Sequence, residues 1–163
     1  MTTSPEPVVR PDRAFLLAHP AHFLALGFGA GLSPRAPGTA GTLVAFPLFW
    51  LLVDHPLYWG WMLLFIVVGV WACDVAGRHL GVHDHGGIVW DEVAAFLLVL
   101  PFAPATPGGF LLAFALFRLF DIWKPFPIGW LDARVPGGLG VMLDDLLAAG
   151  YAILILLGVA SWM

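Results

Sequence analysis

Residues 110–132 read FLLAFALFRLFDIWKPFPIGWLD. An unbroken apolar run, 110–117, leads straight into Arg118, Asp121 and Lys124, whose three-residue spacing puts them on one side of a helix. Pro125 and Pro127 then stop that helix, because proline has no N–H to donate and disfavours helical geometry in the residue before it. A helix suited to an apolar surrounding that ends in a charged face points to one fold class. The helices lie in lipid, and polar chemistry gathers where they emerge.

The composition agrees. Of 163 residues, 60% are hydrophobic and only 11% charged, mean hydropathy is +0.90, and there are eight Trp and thirteen Phe. A soluble domain carries about 25% charged residues, so the polar surface needed to enclose this much apolar material in water is missing. The net charge of −4 gives no electrostatic footprint for nucleic acid. Cys73 is the sole cysteine, which excludes an internal disulfide framework and a CxxC metal site. Four residues separate it from Arg78, one fewer than a thiol-phosphatase loop requires.

Further apolar runs occupy residues 43–53, 57–73, 93–102 and 146–163. Asp54-His55-Pro56 divides the first two, and PATPGG at 104–109 divides 93–102 from 110–120. Such short, Pro-bearing links read as two helical hairpins, with the last run as a C-terminal helix. The expected architecture is an all-α, polytopic helical membrane protein. Several runs fall short of the ~20 residues of a full span. Their helices either extend into the neighbouring polar motifs or enter the bilayer part way. Residues 1–27 read as a polar, interfacial segment with an uncleaved helix over the moderately apolar 14–28, and 28–163 as a single membrane-embedded domain.

If each hairpin goes out and returns, three polar stretches share one face: 27–42, 81–92 and 118–145. All seven cations (Arg10, Arg13, Arg35, Arg78, Arg118, Lys124, Arg134) then fall on that face, while Asp54, His55 and the C-terminus occupy the other. Lys and Arg excess marks the cytoplasmic side.

Each stretch carries candidate chemistry beside a plainer alternative. GFGAGLSPRAPGTAGT, 27–42, offers a glycine backbone leading into a helix N-terminus near Thr42, where anions are favoured. Ser33, Arg35, Gly38, Thr39 and Thr42 form the candidate phosphate cradle; a Gly/Pro connector with an N-capping Thr is the alternative. HDHGGIVWDE, 83–92, places His83, Asp84, His85, Asp91 and Glu92 within ten residues. Oxygen-rich sets suit Mg²⁺ or Mn²⁺, and the histidines leave zinc open. Asp91 and Glu92 lie about 100° apart around a helix and so point to different roles or different metals. A solvated helix start is a serious rival for Asp84 and the histidines, and a weaker one for Asp91 and Glu92. Beyond the opening stretch, GGLGVMLDD (137–145) repeats the adjacent-acid pattern at Asp144 and Asp145, where a helix-dipole role is the alternative. Arg118 and Asp121 could simply neutralise one another at i,i+3. Together, however, acids that hold a metal beside cations that hold phosphate suit phosphoryl transfer on a lipid phosphate.

Taken in order, GLSPRAPGTAGT, HDHGGIVWDE, FRLFDIWKPFPI and GGLGVMLDD resemble the phosphatidylglycerophosphatase A family, over about residues 28–150. Ala95, Phe126 and Pro136 depart from the pattern, where many members carry Gly, Trp and His. The resemblance implies a Mg²⁺-dependent enzyme of the bacterial inner membrane. It would hydrolyse the terminal phosphomonoester of phosphatidylglycerophosphate to phosphatidylglycerol and phosphate. On this reading Asp91, Glu92, Asp121, Asp144 and Asp145 supply metal ligands, and Glu92 is the first choice to orient or deprotonate water. Lys124, Arg118 and Arg35 neutralise the phosphate, and His83, Asp84 and His85 are candidates for proton transfer. A direct carboxylate nucleophile stays open. So do an enzyme for another lipid phosphate and a small ion transporter or channel.

Overall fold

The computed structural model describes residues 10–162, and all regular structure among them is helical. The expected N-terminal segment lies partly outside this range, at residues 1–9. Its remainder forms two short helices instead of one, α1 (Arg13–Ala18) and α2 (Pro20–Ala25). Pro20 is the cause: it holds His19 in extended geometry (φ −153°, ψ 141°), which caps the second helix. A 3₁₀ segment, Gly27–Leu32, follows.

The five long elements are α3 (Pro37–Leu52), α4 (Tyr58–Leu80), α5 (Trp90–Val99), α6 (Pro107–Trp123) and α8 (Gly137–Ala160), with the short α7 (Ile128–Asp132) before the last. Local chemistry sets their limits. The Thr106 hydroxyl accepts from the Gly109 N–H at 3.0 Å and Pro107 opens α6, while α4 closes on Gly81 at φ 75°. α4 and α8 are long and apolar enough to cross a membrane. The chain reverses at both expected turns, but the two members of each expected hairpin are not each other's main packing partners. α3 lies chiefly on α5, α4 on α8 and α2, and α6 on α8, whereas α5 touches α6 only lightly.

α5 is the centre of the bundle. It has ten residues, and every one except Leu98 is buried. It extends back from the apolar run into the polar motif at Trp90; α3, α4 and α8 enclose it, and Pro101 ends it. Hydrogen bonds fasten it at both ends. Tyr58 donates its hydroxyl to the Leu97 carbonyl at 2.6 Å, and the Trp90 indole donates to Phe65 at 3.0 Å. Gly138 lets α8 approach α4, since a Cβ there would overlap the Val70 carbonyl.

The N-terminal helices clamp onto this body. His22 Nδ1 lies 2.8 Å from the Phe15 carbonyl, which can only accept, so Nδ1 carries the proton. In the neutral ring Nε2 then accepts from His79 Nδ1 of α4, 2.7 Å away. The Val89 N–H, one residue before α5, donates to the Ala25 carbonyl at 2.8 Å. Beside this bond the backbones of Gly31 and Gly87 meet with no room for a side chain on Gly31.

Candidate active site

The alternating chain direction brings the N-termini of α3 and α5, the C-terminal turns of α6 and the second turn of α8 to one end of the bundle. There they enclose a cavity of about 350 Å³. All three polar stretches contribute: Pro37 and Gly38 from the first, Asp84, Gly86, Asp91 and Glu92 from the second, Arg118, Asp121, Lys124, Asp144 and Asp145 from the third. The wall carries six carboxylates (Asp84, Asp91, Glu92, Asp121, Asp144, Asp145) against two cations, Arg118 and Lys124.

Asp91 and Glu92 do not diverge to separate sites as their angle around the helix suggests. Oxygens from Asp91, Glu92 and Asp145, all buried, lie within 4.8 Å of one another. The angle describes Cβ directions; a Glu side chain is one methylene longer than Asp, and Asp145 arrives from α8 to meet both. Asp144 and Asp145 also sit two turns inside α8, which begins at Gly137, so a helix-dipole role does not account for them.

The cations are shared out around this cluster. Arg118 Nη1 donates to Asp121 Oδ2 at 2.5 Å and to Glu92 Oε1 at 3.3 Å. Lys124 Nζ donates to Asp144 Oδ2 at 2.5 Å and to Asp132 Oδ2 at 3.1 Å. The pairing leaves Asp91 Oδ1, Glu92 Oε2 and Asp145 Oδ2 buried with no hydrogen-bond partner. Buried carboxylate oxygens without donors are strongly unfavourable unless a cation meets them. Each carboxylate of the converging trio thus keeps one such oxygen, and an oxygen donor set of this kind is what a hard divalent cation takes. Asp84, on the loop before α5, is pushed above the usual carboxylate range by burial; Lys124 opposes the shift and Asp132 adds to it.

Other expected residues fall outside the cavity wall. The phosphate-cradle helix begins at Pro37, not near Thr42, whose buried hydroxyl donates back to the Gly38 carbonyl at 2.9 Å. Ser33 donates to the Arg35 carbonyl, and Arg35 is exposed. Of the cradle, Gly38 lines the cavity, with Thr39 next to it. No side chain caps α3, and its first backbone bond is from Ala40, so the N–H groups of Gly38 and Thr39 stay available. His83 lines neighbouring cavities, and His85 Nδ1 accepts from the Gly87 N–H at 3.0 Å, closing its own turn. Asp132 escaped notice in the sequence; the signal was an acid closing PFPIGWLD, eight residues after Lys124.

Two backbone features fix the geometry. Lys124 ends α6 in left-handed geometry (φ 45°, ψ 58°), which costs a non-glycine residue roughly 1 kcal/mol. Gly38 leaves space for the Glu92–Arg118 pair: a Cβ would overlap Glu92 Oε1 and stand 3.1 Å from Arg118 Nη1. Gly38→Ala is therefore expected to reduce kcat/KM for phosphate release at least tenfold, roughly the effect of a small misplacement of catalytic groups. Thermal unfolding in detergent checks that the variant stays folded.

Fold and site together define an all-helical protein with two helices long and apolar enough to cross a membrane and an acid-lined pocket at one end of its bundle. A family model described as phosphatidylglycerophosphatase A matches residues 23–160, and the chain belongs to that family. It is 44% identical over 135 residues to phosphatidylglycerophosphatase A of Escherichia coli (strain K12), covering 81% of this chain and 78% of the relative. Its identity to the Haemophilus influenzae protein of the same name is 42% over 158 residues, or 94% and 96% of the two chains. A Bacteroides thetaiotaomicron protein carried under the provisional name phosphatidylinositol-3-phosphatase is 39% identical over 84% of this chain and 91% of its own. No solved structure matches the chain.

Proposed function

We propose that this phosphatase hydrolyses the terminal phosphomonoester of phosphatidylglycerophosphate, giving phosphatidylglycerol and phosphate, with Mg²⁺ held by Asp91, Glu92 and Asp145. Family membership and the names of the Escherichia coli and Haemophilus influenzae relatives support the reaction. The observation that carries the metal is the set of three buried, partnerless carboxylate oxygens.

When bound there, Mg²⁺ supplies Lewis acidity to the phosphoryl group and to an attacking water. The chain supplies the rest. Glu92 is held through Oε1 by Arg118, which suits it to orient that water beside the cation. Arg118 and Lys124, each braced by carboxylates, keep further N–H donors for the phosphoryl oxygens. The uncapped start of α3 offers Gly38 and Thr39 N–H groups from another side. Asp121 and Asp144, readings for the metal set from sequence, brace the two cations and stand around the three-carboxylate core. Asp84 is the proton-transfer candidate nearest the reaction. A membrane-embedded body with the site at the cytoplasmic surface of the bacterial inner membrane gives the lipid head group access to it; the gathering of Lys and Arg at that end and not the other supports this orientation.

Purified protein in detergent, given Mg²⁺, is expected to release phosphate from phosphatidylglycerophosphate faster than from phosphatidic acid or phosphatidylinositol 3-phosphate. Preference for the inositol lipid would move the substrate assignment to the chemistry named for the Bacteroides relative.

A further inference from the structure

Lys124 is the only lysine of the pocket, and Asp132, which does not line that pocket, holds it from α7. Asp132 closes α7, beyond the prolines, with its side chain 32% exposed, whereas the side chain of the other anchor, Asp144, is 6% exposed. The same aspartate also lines an adjoining cavity of about 280 Å³. An ammonium has three N–H donors. Asp144 takes one and Asp132 a second, which leaves one for an anion and fixes its direction. Tyr151 steadies the elbow that carries α7, donating its hydroxyl to the Phe126 carbonyl at 3.0 Å.

We propose that Asp132 is a positioning residue for the phosphate-binding lysine: it holds the Lys124 ammonium so that its remaining N–H faces the substrate phosphate. The inference rests on reading the acidic pocket as the catalytic site. Without the Asp132 carboxylate, Nζ keeps one anchor and rotates about it. The ammonium still neutralises charge, but its donor is no longer aimed. Phosphoryl oxygens carry their charge already in the bound substrate, so the loss falls on binding of substrate and transition state alike, and hence on KM.

Steady-state phosphate release with phosphatidylglycerophosphate in mixed micelles tests this. Asp132→Asn, which leaves only a neutral acceptor, is expected to raise KM roughly tenfold, the usual difference between a charge-assisted hydrogen bond and a weaker one, with kcat changed less than about twofold. Asp132→Glu, which keeps the charge, is expected to recover most of the affinity. Inhibition by inorganic phosphate should weaken in Asp132→Asn in step with KM. An unchanged KM, a fall in kcat alone, or an Asp132→Glu variant as impaired as Asp132→Asn overturns the proposal. Glu92→Gln measured alongside separates the two ideas. Near-normal turnover in Glu92→Gln defeats the site assignment, whereas an inactive Glu92→Gln beside a normal Asp132→Asn defeats only the positioning role.

Discussion

Glu92→Gln is expected to lower kcat by about 10³-fold or more, the scale of weakening a catalytic metal site and misplacing the attacking water together. The substitution keeps shape and volume, and its amide oxygen still accepts from Arg118, now 3.3 Å from Oε1. What disappears is one negative charge among three converging carboxylates and the free Oε2. The structural consequence runs the other way. In the absence of metal the acids repel one another, so removing one charge relieves the folded state, and the metal-free variant is expected to unfold at a higher temperature than metal-free wild type. Turnover within tenfold of wild type, in a variant shown to be folded, would remove Glu92 from the reaction.

Chelation gives the second large effect. EDTA is expected to abolish phosphate release, and added Mg²⁺ to restore it in a saturable manner. The same titration should read out in stability, because an ion that binds only the folded protein stabilises it by about 2.7 kcal/mol at a hundred times its Kd. For a chain of this size that corresponds to roughly 5–10 °C in Tm. Asp145→Asn should shrink this Mg²⁺-dependent shift, since it neutralises one of the three buried oxygens' owners. Full activity in EDTA would leave the orphaned oxygens without their cation and the metal reading without support.

Much of this was legible in the sequence because it depends on local pattern. The apolar runs, the Pro-bearing reversals and the charges at 118, 121 and 124 all obey rules that act over a few residues. The meeting of three polar stretches followed from counting direction changes alone. Features that depend on what a side chain meets across the bundle were not legible. Asp91 and Glu92 diverge when only their helix is considered, and converge once Asp145 supplies the third corner. Thr42 resembles a cap until α3 is seen to start at Pro37, after which its hydroxyl serves the Gly38 carbonyl inside the helix. The α5 run gave no sign of being enclosed on all sides, since a buried helix and a lipid-facing one are equally apolar. Asp132 finds Lys124 only because α7 folds back after the prolines.

The bond from the Val89 N–H to the Ala25 carbonyl gives the N-terminal helices a mechanical part in the site. Val89 stands two positions before Asp91, so the level at which α5 begins, and with it the height of its acids above the pocket floor, is gauged from the end of α2. The His22–His79 contact holds that gauge against α4. A segment that supplies no group to the pocket thereby acts as its strut, and tilting it would displace the carboxylates without touching any of them.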